Sequence, residues 1–231
     1  MERIVLPELL DVLPPQDQSA LRSRRDLRRL NVWMGHPRIM ARVLKDHLPD
    51  PDARRLVELG AGDGHFLLSV ARRLQGGWPR AQATLVDRLN VLDPETMGQF
   101  NRLGWQVRVE IAEASGWLRQ SAPNAVEAVM ANLFFHQFQT EPLAELLRLA
   151  ANSSRLVVAL EPRRLGLSRL CVPLMWLIGC GPVTRHDGRV SVRAGFAGCE
   201  LSALWPDKQN WELVERRVGL FSHLFIARRK V

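Results

Sequence analysis

The sequence contains little cysteine, little lysine and no tyrosine, and each shortage argues against a class of protein. Its three cysteines, Cys171, Cys180 and Cys199, form no Cys-x-x-Cys pair. We therefore expect neither a disulfide framework nor a bound metal, and reduced thiols favour a cytoplasmic location. No apolar run reaches the roughly 18–20 residues of a membrane helix. The N-terminus has no basic segment before an apolar core, so we expect no secretory signal.

The basic charge comes almost entirely from arginine, since Lys45, Lys208 and Lys230 are the only lysines. The net charge is +8 and the isoelectric point is near 10.7. Such a balance is typical of proteins that bind nucleic acid or anionic membranes. The arginines are dispersed, however, apart from one run at Arg22, Arg24, Arg25, Arg28 and Arg29, which we expect on a solvated helix face. We interpret the charge mainly as an arginine-rich composition, and a nucleic-acid partner is not expected.

Residues 1–53 differ from the rest of the chain and are predicted to form an N-terminal helical cap. A helix is expected from about Asp17, with leucines on one face and the arginine run on the other. Gly35 is placed to end it, and Pro37 suits the first turn of the next helix. Trp33 and Met34 are expected to cover the functional site from this side.

From residue 54 onward, strand and helix patterns alternate. Buried strands are predicted over 56–59, 83–87, 105–111, 125–131 and 155–160, and two more over 211–217 and 221–227. Intervening helices make the first five strands parallel, with helices on both faces of the sheet. Gly219 lies in a tight connection, so the last two strands are expected to be antiparallel. The fold class is therefore α/β, with a mostly parallel sheet and an antiparallel last strand.

Residues 162–198 break this alternation and are interpreted as an inserted substrate lid. The run from Leu170 to Cys180 is apolar but too short to span a bilayer. A lid over an apolar substrate requires such a surface. Ordinary core packing or a dimer contact would require one as well. Because these alternatives stay open, the oligomeric state is not predicted.

A glycine-rich turn follows the first strand, from Glu58 to Gly64. Gly60, Gly62 and Gly64 allow sharp backbone turns and leave no Cβ where a ligand would approach. The helix that follows presents its N-terminus to the same space, as in nucleotide-type cofactor sites. The Gly-x-Gly-x-Gly spacing differs from the Gly-x-Gly-x-x-Gly of dinucleotide folds.

This turn, with Glu58 before its glycines, resembles the first motif of class I S-adenosylmethionine (SAM) dependent methyltransferases. Asp87 resembles the family's acid at the end of the second strand, and Glu113 the acid near the adenine. The resemblance implies a Rossmann-like seven-stranded methyltransferase sheet, with residues 54–231 as the SAM-binding domain. It also implies these cofactor residues: Glu58, Gly60, Ala61, Gly62, Asp63, Gly64, Asp87, Arg88, Glu113, Ala114, Asn132 and Leu133.

The residues of the fourth- and fifth-strand motifs, 131–136 and 160–164, resemble those of small-molecule methyltransferases of the ubiquinone and menaquinone type, and most closely those of bacterial members that modify phenolic or polyketide-derived lipids. This likeness implies methyl transfer to the hydroxyl, or to a ring carbon, of a lipophilic phenolic or quinone-like compound. Peripheral membrane contact is compatible with such a substrate. The alternatives are an RNA methyltransferase, which the charge favours, and a non-catalytic SAM-binding partner protein.

Two histidines are candidates for the general base that a phenol or enol acceptor would need. His136 is expected at the end of the fourth strand, which faces the transferred methyl in this family. His186 stands beside Asp187 in a polar stretch that fits a turn equally well. His223 is expected to be structural. No Asn/Asp-Pro-Pro-Tyr/Phe tetrapeptide follows the fourth strand, which argues against methylation of the exocyclic amines of bases.

Overall fold

The computed structural model describes residues 2–48, 54–78, 80–165 and 175–230. The predicted apolar lid run therefore falls partly outside the described residues, from Leu170 to Leu174. Within the described ranges, none of the helices combines the length and the apolar character needed to cross a bilayer.

A seven-stranded sheet forms the centre of the molecule, in the order β3-β2-β1-β4-β5-β7-β6. Only β7 runs antiparallel to its neighbours β5 and β6 in the part of the sheet that is described. This arrangement confirms the predicted fold class. The strands are β1 Arg55–Leu59, β2 Gln82–Asp87, β3 Gln106–Ile111, β4 Val126–Asn132, β5 Ser154–Pro162, β6 Trp211–Val218 and β7 Ser222–Arg229.

Helices cover both faces of the sheet, as predicted. They are α1 Leu9–Val12, α2 Gln18–Trp33, α3 His36–His47, α4 His65–Leu74, α5 Pro94–Arg102, α6 Ala114–Gln120, α7 Thr140–Ser153, α8 Pro182–Ala194 and α9 Glu200–Leu204. Alternate residues of β1 serve opposite faces: Leu56 packs in the core beneath α3 and α4, and Val57 in the core beneath α6 and α7. Burial on both faces explains why the central strands are apolar runs.

The N-terminal region is joined to the sheet through α3. Asp17 begins α2 by accepting a hydrogen bond from the Ser19 backbone N–H at 2.7 Å. Gly35, at φ 72°, separates α2 from α3, close to the predicted boundary. Met40 and Leu44 of α3 are completely buried in the core that α4 also fills. The division between cap and SAM-binding domain at residue 53 stays a prediction.

The polar stretch around Thr184 forms part of α8, where the sequence pattern fitted a turn equally well. Pro182 occupies the first turn of this helix, where a missing N–H is tolerated. Thr184 itself is buried and donates a hydrogen bond to the Asp26 carboxylate at 2.9 Å. The pattern was misleading because polar residues of α8 face polar partners on α2.

Candidate functional site

The three glycines after β1 serve two different purposes. A Cβ added to Gly60 would meet the ring of Phe134 at 2.2 Å, and one added to Gly64 would meet Leu92 at 2.5 Å. These two positions are closed by the protein itself. At Gly62, with φ +53°, an added Cβ would meet nothing within 4 Å. Gly62 therefore faces open space, with a backbone conformation that favours glycine.

Asp87 lies at the carboxyl end of β2 and holds the glycine turn in place. Its Oδ2 accepts a hydrogen bond from the Gly62 N–H at 2.8 Å, and its Oδ1 accepts one from Leu89 N–H at 2.9 Å. Each carboxylate oxygen keeps further acceptor capacity for a ligand. The structure thus brings Asp87 and the glycine turn together, as the motifs predict.

Glu58 lies beneath the turn and is 2% exposed. Burial, and then the charges of Asp63 and Asp87, raise the pKa of Glu58 well above its ordinary value. Its Oε2 has no hydrogen-bond partner among the residues that the structure describes. An unsatisfied buried carboxyl oxygen is costly unless a ligand completes it.

Asp63 connects the glycine turn to the N-terminal region. Its Oδ2 accepts a hydrogen bond from Arg28 Nε of α2 at 2.8 Å. Burial would raise the pKa of Asp63, but its hydrogen bond with His65 and the Arg28 charge hold that pKa below its ordinary value. The arginine run was predicted to be a solvated face; Arg28 departs from this because the partly buried Asp63 offers it a partner.

The remaining predicted cofactor residues lie around the same space. Arg88 Nε is 3.9 Å from the exposed Glu113 carboxylate, and Arg88 Nη2 is 3.7 Å from Asp11 Oδ1 of α1. Asn132 ends β4, and Leu133, the next residue, takes a left-handed conformation at φ +54°. Both residues line the same cavity as Asp87.

A buried polar network fixes Asn132. Its side-chain oxygen lies 2.7 Å from His36 Nδ1, and its Nδ2 donates to the Asn31 side chain at 3.0 Å. The other His36 nitrogen lies 2.6 Å from Ser222 Oγ. Burial lowers the pKa of His36 to about 4, so the ring is neutral at pH 7. The sequence analysis missed Asn31 and His36, because neither stands in a recognisable motif.

His136 is buried between two carboxylates. Its Nδ1 lies 2.8 Å from Glu161 Oε2, and its Nε2 lies 3.1 Å from Glu8 Oε1. Burial alone would lower its pKa, but the hydrogen bonds and charges of Glu161 and Glu8 raise it to about 9. The ring is therefore protonated at pH 7 and donates both N–H groups. A protonated ring has no lone pair for a substrate proton, so this geometry does not suit the predicted base.

Five further hydrogen bonds make this cluster a junction between distant segments. The Glu161 carboxylate also accepts backbone hydrogen bonds from Phe134 and Phe135, at 3.1 and 2.8 Å. Arg3 donates to the His136 carbonyl at 3.0 Å. Glu8 accepts hydrogen bonds from the side chains of Ser191 and Gln137. No sequence signal pointed to Arg3 or Glu8, because their partners lie more than a hundred positions away.

His186 lies on α8 and is half-exposed. Its Nδ1 is 3.0 Å from Asp187 Oδ1. The Asp187 carboxylate accepts hydrogen bonds from the Leu9 and Leu10 backbone N–H groups, at 2.8 and 3.0 Å, and so caps α1. Among the described residues that line the cavity, Asp187 is present and His186 is not. The two residues are paired, but the histidine faces away from the site. His223, expected to be structural, is buried and lies 2.7 Å from Glu215.

One cavity of about 1230 Å³ unites these groups at the carboxyl ends of the strands. Every predicted cofactor residue except Gly64 lines it, and so does His136. Its other wall comes from α2, from the turn before α8 and from the β6–β7 connection. That wall is largely apolar: Leu27, Leu30, Trp33, Met34, Met175, Leu177, Ile178 and Phe221. Trp33 and Met34 thus lie where the sequence analysis expected them.

Solved structures share this architecture. An O-methyltransferase family protein from Burkholderia thailandensis matches with a TM-score of 0.61 at 18% identity over 93% of this chain. The chain has the fold of the class I methyltransferases. It spans 61% of the length of that protein. Neither a protein-family model nor a curated protein sequence matches the chain.

Two other similar structures contain S-adenosylhomocysteine (SAH). The plantazolicin methyltransferase in complex with SAH has a TM-score of 0.61 at 11% identity, covering 93% of this chain and 92% of its own. A 1,6-didemethyltoxoflavin N1-methyltransferase from Burkholderia thailandensis, with that compound and SAH bound, has a TM-score of 0.58 at 18% identity. It covers 99% of this chain and 94% of its own.

Proposed function

We propose that this protein is a SAM-dependent methyltransferase that modifies a lipophilic small molecule, at the hydroxyl or a ring carbon of a phenolic or quinone-like compound. The observation that carries the proposal is the single cavity with two unlike walls. One wall carries the glycine turn and its acids, and the other carries apolar side chains from the cap and from the segment before α8.

The residues on the first wall fit SAM chemically. Glu58 Oε2 is a buried acceptor without a partner in the described part of the chain, and an ammonium group is the donor that would satisfy it. Asp87 retains acceptor capacity for ribose hydroxyls, and the space over Gly62 admits a close ligand. When bound, SAM supplies a methyl group carried on a sulfonium sulfur.

The second wall supports a lipophilic acceptor. The exposure of Leu27, Met34 and Phe221 to one cavity gives an apolar ring substrate a surface to bury. Two of the compared proteins are named as methyltransferases of different small molecules, plantazolicin and 1,6-didemethyltoxoflavin. This chain's contribution to rate would be placement of the acceptor and exclusion of water.

We propose Asp11, in place of His136, as the proton acceptor. Asp11 lines the cavity, and its Oδ1 lies 3.7 Å from Arg88 Nη2. Burial, and then the charge of Glu8, raise the pKa of Asp11 to about 6. Such a carboxylate is ionised at pH 7 yet basic enough to take a proton. His136 would instead anchor the N-terminal segment to the ends of β4 and β5.

The substitution Gly62→Val tests the cofactor assignment. We expect titration calorimetry to detect no SAM binding, because the added side chain would project into the cavity. Gly198→Val is the matched control, since Gly198 has φ +61°, meets nothing within 4 Å and lies outside the cavity lining. The control carries the same backbone strain and should bind normally. Wild-type affinity in Gly62→Val would refute the assignment.

A radiolabelled-methyl screen over phenols, quinones and bulk RNA tests the substrate class. We expect label in lipophilic ring compounds. Transfer to RNA would support the alternative that the basic charge suggests. Intact SAM binding without transfer to any acceptor would instead support a non-catalytic partner protein.

A further inference from the structure

The entrance of the cavity is surrounded by large apolar side chains that face solvent. Val32 is 59% exposed, Trp33 63%, Leu177 62% and Ile178 47%, and all four also line the cavity. Single exposed apolar residues are common on protein surfaces, but a contiguous group at one opening indicates a binding surface. We call these four residues the apolar rim.

Direct contacts hold the two halves of the apolar rim beside each other. The turn that carries Leu177 and Ile178 is fixed to α2, because Arg22 and Arg29 both donate to the Gly179 carbonyl, at 3.3 and 3.5 Å. The rim is therefore a built feature of the fold and not a pair of unrelated loops.

The rim continues beyond α2 towards the last hairpin. Trp33 stacks on Phe221, with ring centroids 5.6 Å apart. The residue before Phe221, Leu220, is also exposed. Three separate parts of the chain thus present apolar groups around one opening.

A row of cations borders the apolar rim. Arg22, Arg25 and Arg29 lie at helical spacing along the exposed face of α2, and the same face ends at Val32. Asp26 is buried and pairs with Arg29, so it offsets the charge of that arginine, and Arg22 and Arg25 carry the net positive charge of this face. The surface therefore combines exposed positive charge with exposed aliphatic and indole groups.

We propose that this surface docks onto a lipid bilayer that contains anionic lipids, with the apolar rim inserted at the headgroup level. Arginine attracts anionic headgroups, tryptophan favours the interface, and the aliphatic side chains gain by entering the acyl region. A nucleic-acid backbone would attract the arginines but would offer the apolar side chains no apolar surface to enter. A second copy related by a two-fold axis would bring the same positively charged patch of both chains into one interface, where the like charges repel.

Docking would place the cavity entrance against the membrane. If the proposed function is correct, a lipophilic acceptor could pass from the bilayer into the cavity without crossing water. Binding to the bilayer does not itself depend on that function, so the two proposals can fail separately. SAM titration and methyl transfer test the proposed function, and vesicle binding tests the docking proposal.

Vesicle co-sedimentation tests the docking proposal. We expect the protein to bind vesicles of phosphatidylcholine mixed with phosphatidylglycerol, and to bind pure phosphatidylcholine much less. The double variant Trp33→Ser/Ile178→Ser should lose binding by about tenfold or more, because two inserted side chains are removed. Ile111→Ser is the matched control, since Ile111 is 61% exposed but does not line the cavity. Arg25→Gln should weaken binding only to the anionic vesicles.

Three outcomes would overturn the proposal. The first is absence of vesicle binding by protein that still binds SAM, and the second is equal loss in the Ile111→Ser control. The third is a different occupant: either an RNA oligonucleotide that binds equally well to the rim double variant, or self-association in sedimentation velocity that the same variant abolishes. Urea unfolding of each variant shows that the fold is intact.

Discussion

The two walls of the cavity differ in how their residues are arranged along the chain. The cofactor wall is built from one continuous stretch, Glu58 to Gly64, together with an acid at the end of the next strand. The opposite, apolar wall depends on contacts between distant positions, such as Trp33 stacked on Phe221, and so does the junction beside it, where Glu8 and His136 meet from 128 residues apart. The first kind of site is encoded locally and can be recognised as a motif. The second exists only after the chain has folded.

The largest effect is expected at the junction, from His136→Ala. The substitution leaves two carboxylates facing each other in a buried site, and breaking a buried ion pair typically costs about 3–5 kcal/mol in the free energy of unfolding. Urea denaturation measures this cost. The matched control is His186→Ala, whose histidine also contacts a carboxylate but is half-exposed, so it should cost less than about 1 kcal/mol.

The pH dependence of the free energy of unfolding gives a second test of the role of His136. Because folding raises the pKa of His136 to about 9, from an ordinary value near 6.5, its stabilising contribution is complete below about pH 6.5. It is lost as pH rises through about 9. Wild-type protein should lose this stability over that interval, and His136→Ala should not. Unchanged stability together with lost turnover in His136→Ala would restore the predicted base.

A smaller effect is expected on the cofactor wall, from Asp87→Ala. Loss of charged hydrogen bonds should weaken SAM binding by about 1.5–3 kcal/mol, measured by titration calorimetry. Asp87→Asn should lose less, because its amide oxygen can still accept from the Gly62 N–H. Asp93→Ala is the control: Asp93 caps α5 by accepting from Thr96 N–H at 2.7 Å and lies outside the cavity lining. A normal dissociation constant in Asp87→Ala would move the ribose site elsewhere.

The contrast between the walls explains what could be predicted from the sequence. The strands of the sheet could be predicted from apolar runs, because a strand that is buried on both faces is a continuous run of apolar residues. The glycine turn could be predicted because its left-handed backbone at Gly62 favours glycine, and glycines at alternate positions form a recognisable motif. His136 could be predicted as a site residue from its position after β4. Its role could not, because that role depends on Glu8, and no motif in the sequence marks Glu8. Arg28 seemed solvated for the same reason: its partner, Asp63, belongs to another motif.

The smallest expected effect separates Asp11 from both histidines. If Asp11 accepts the proton, the rise of kcat/KM with pH near 6 should disappear in Asp11→Asn, and turnover at pH 7 should fall by about tenfold or more. Asp46→Asn is a matched control, because Asp46 also lies 3.7 Å from an arginine but on the outer face of α3. A wild-type pH profile in Asp11→Asn, with SAM affinity unchanged, would assign the proton to solvent and leave the N-terminal region only the placement of the substrate.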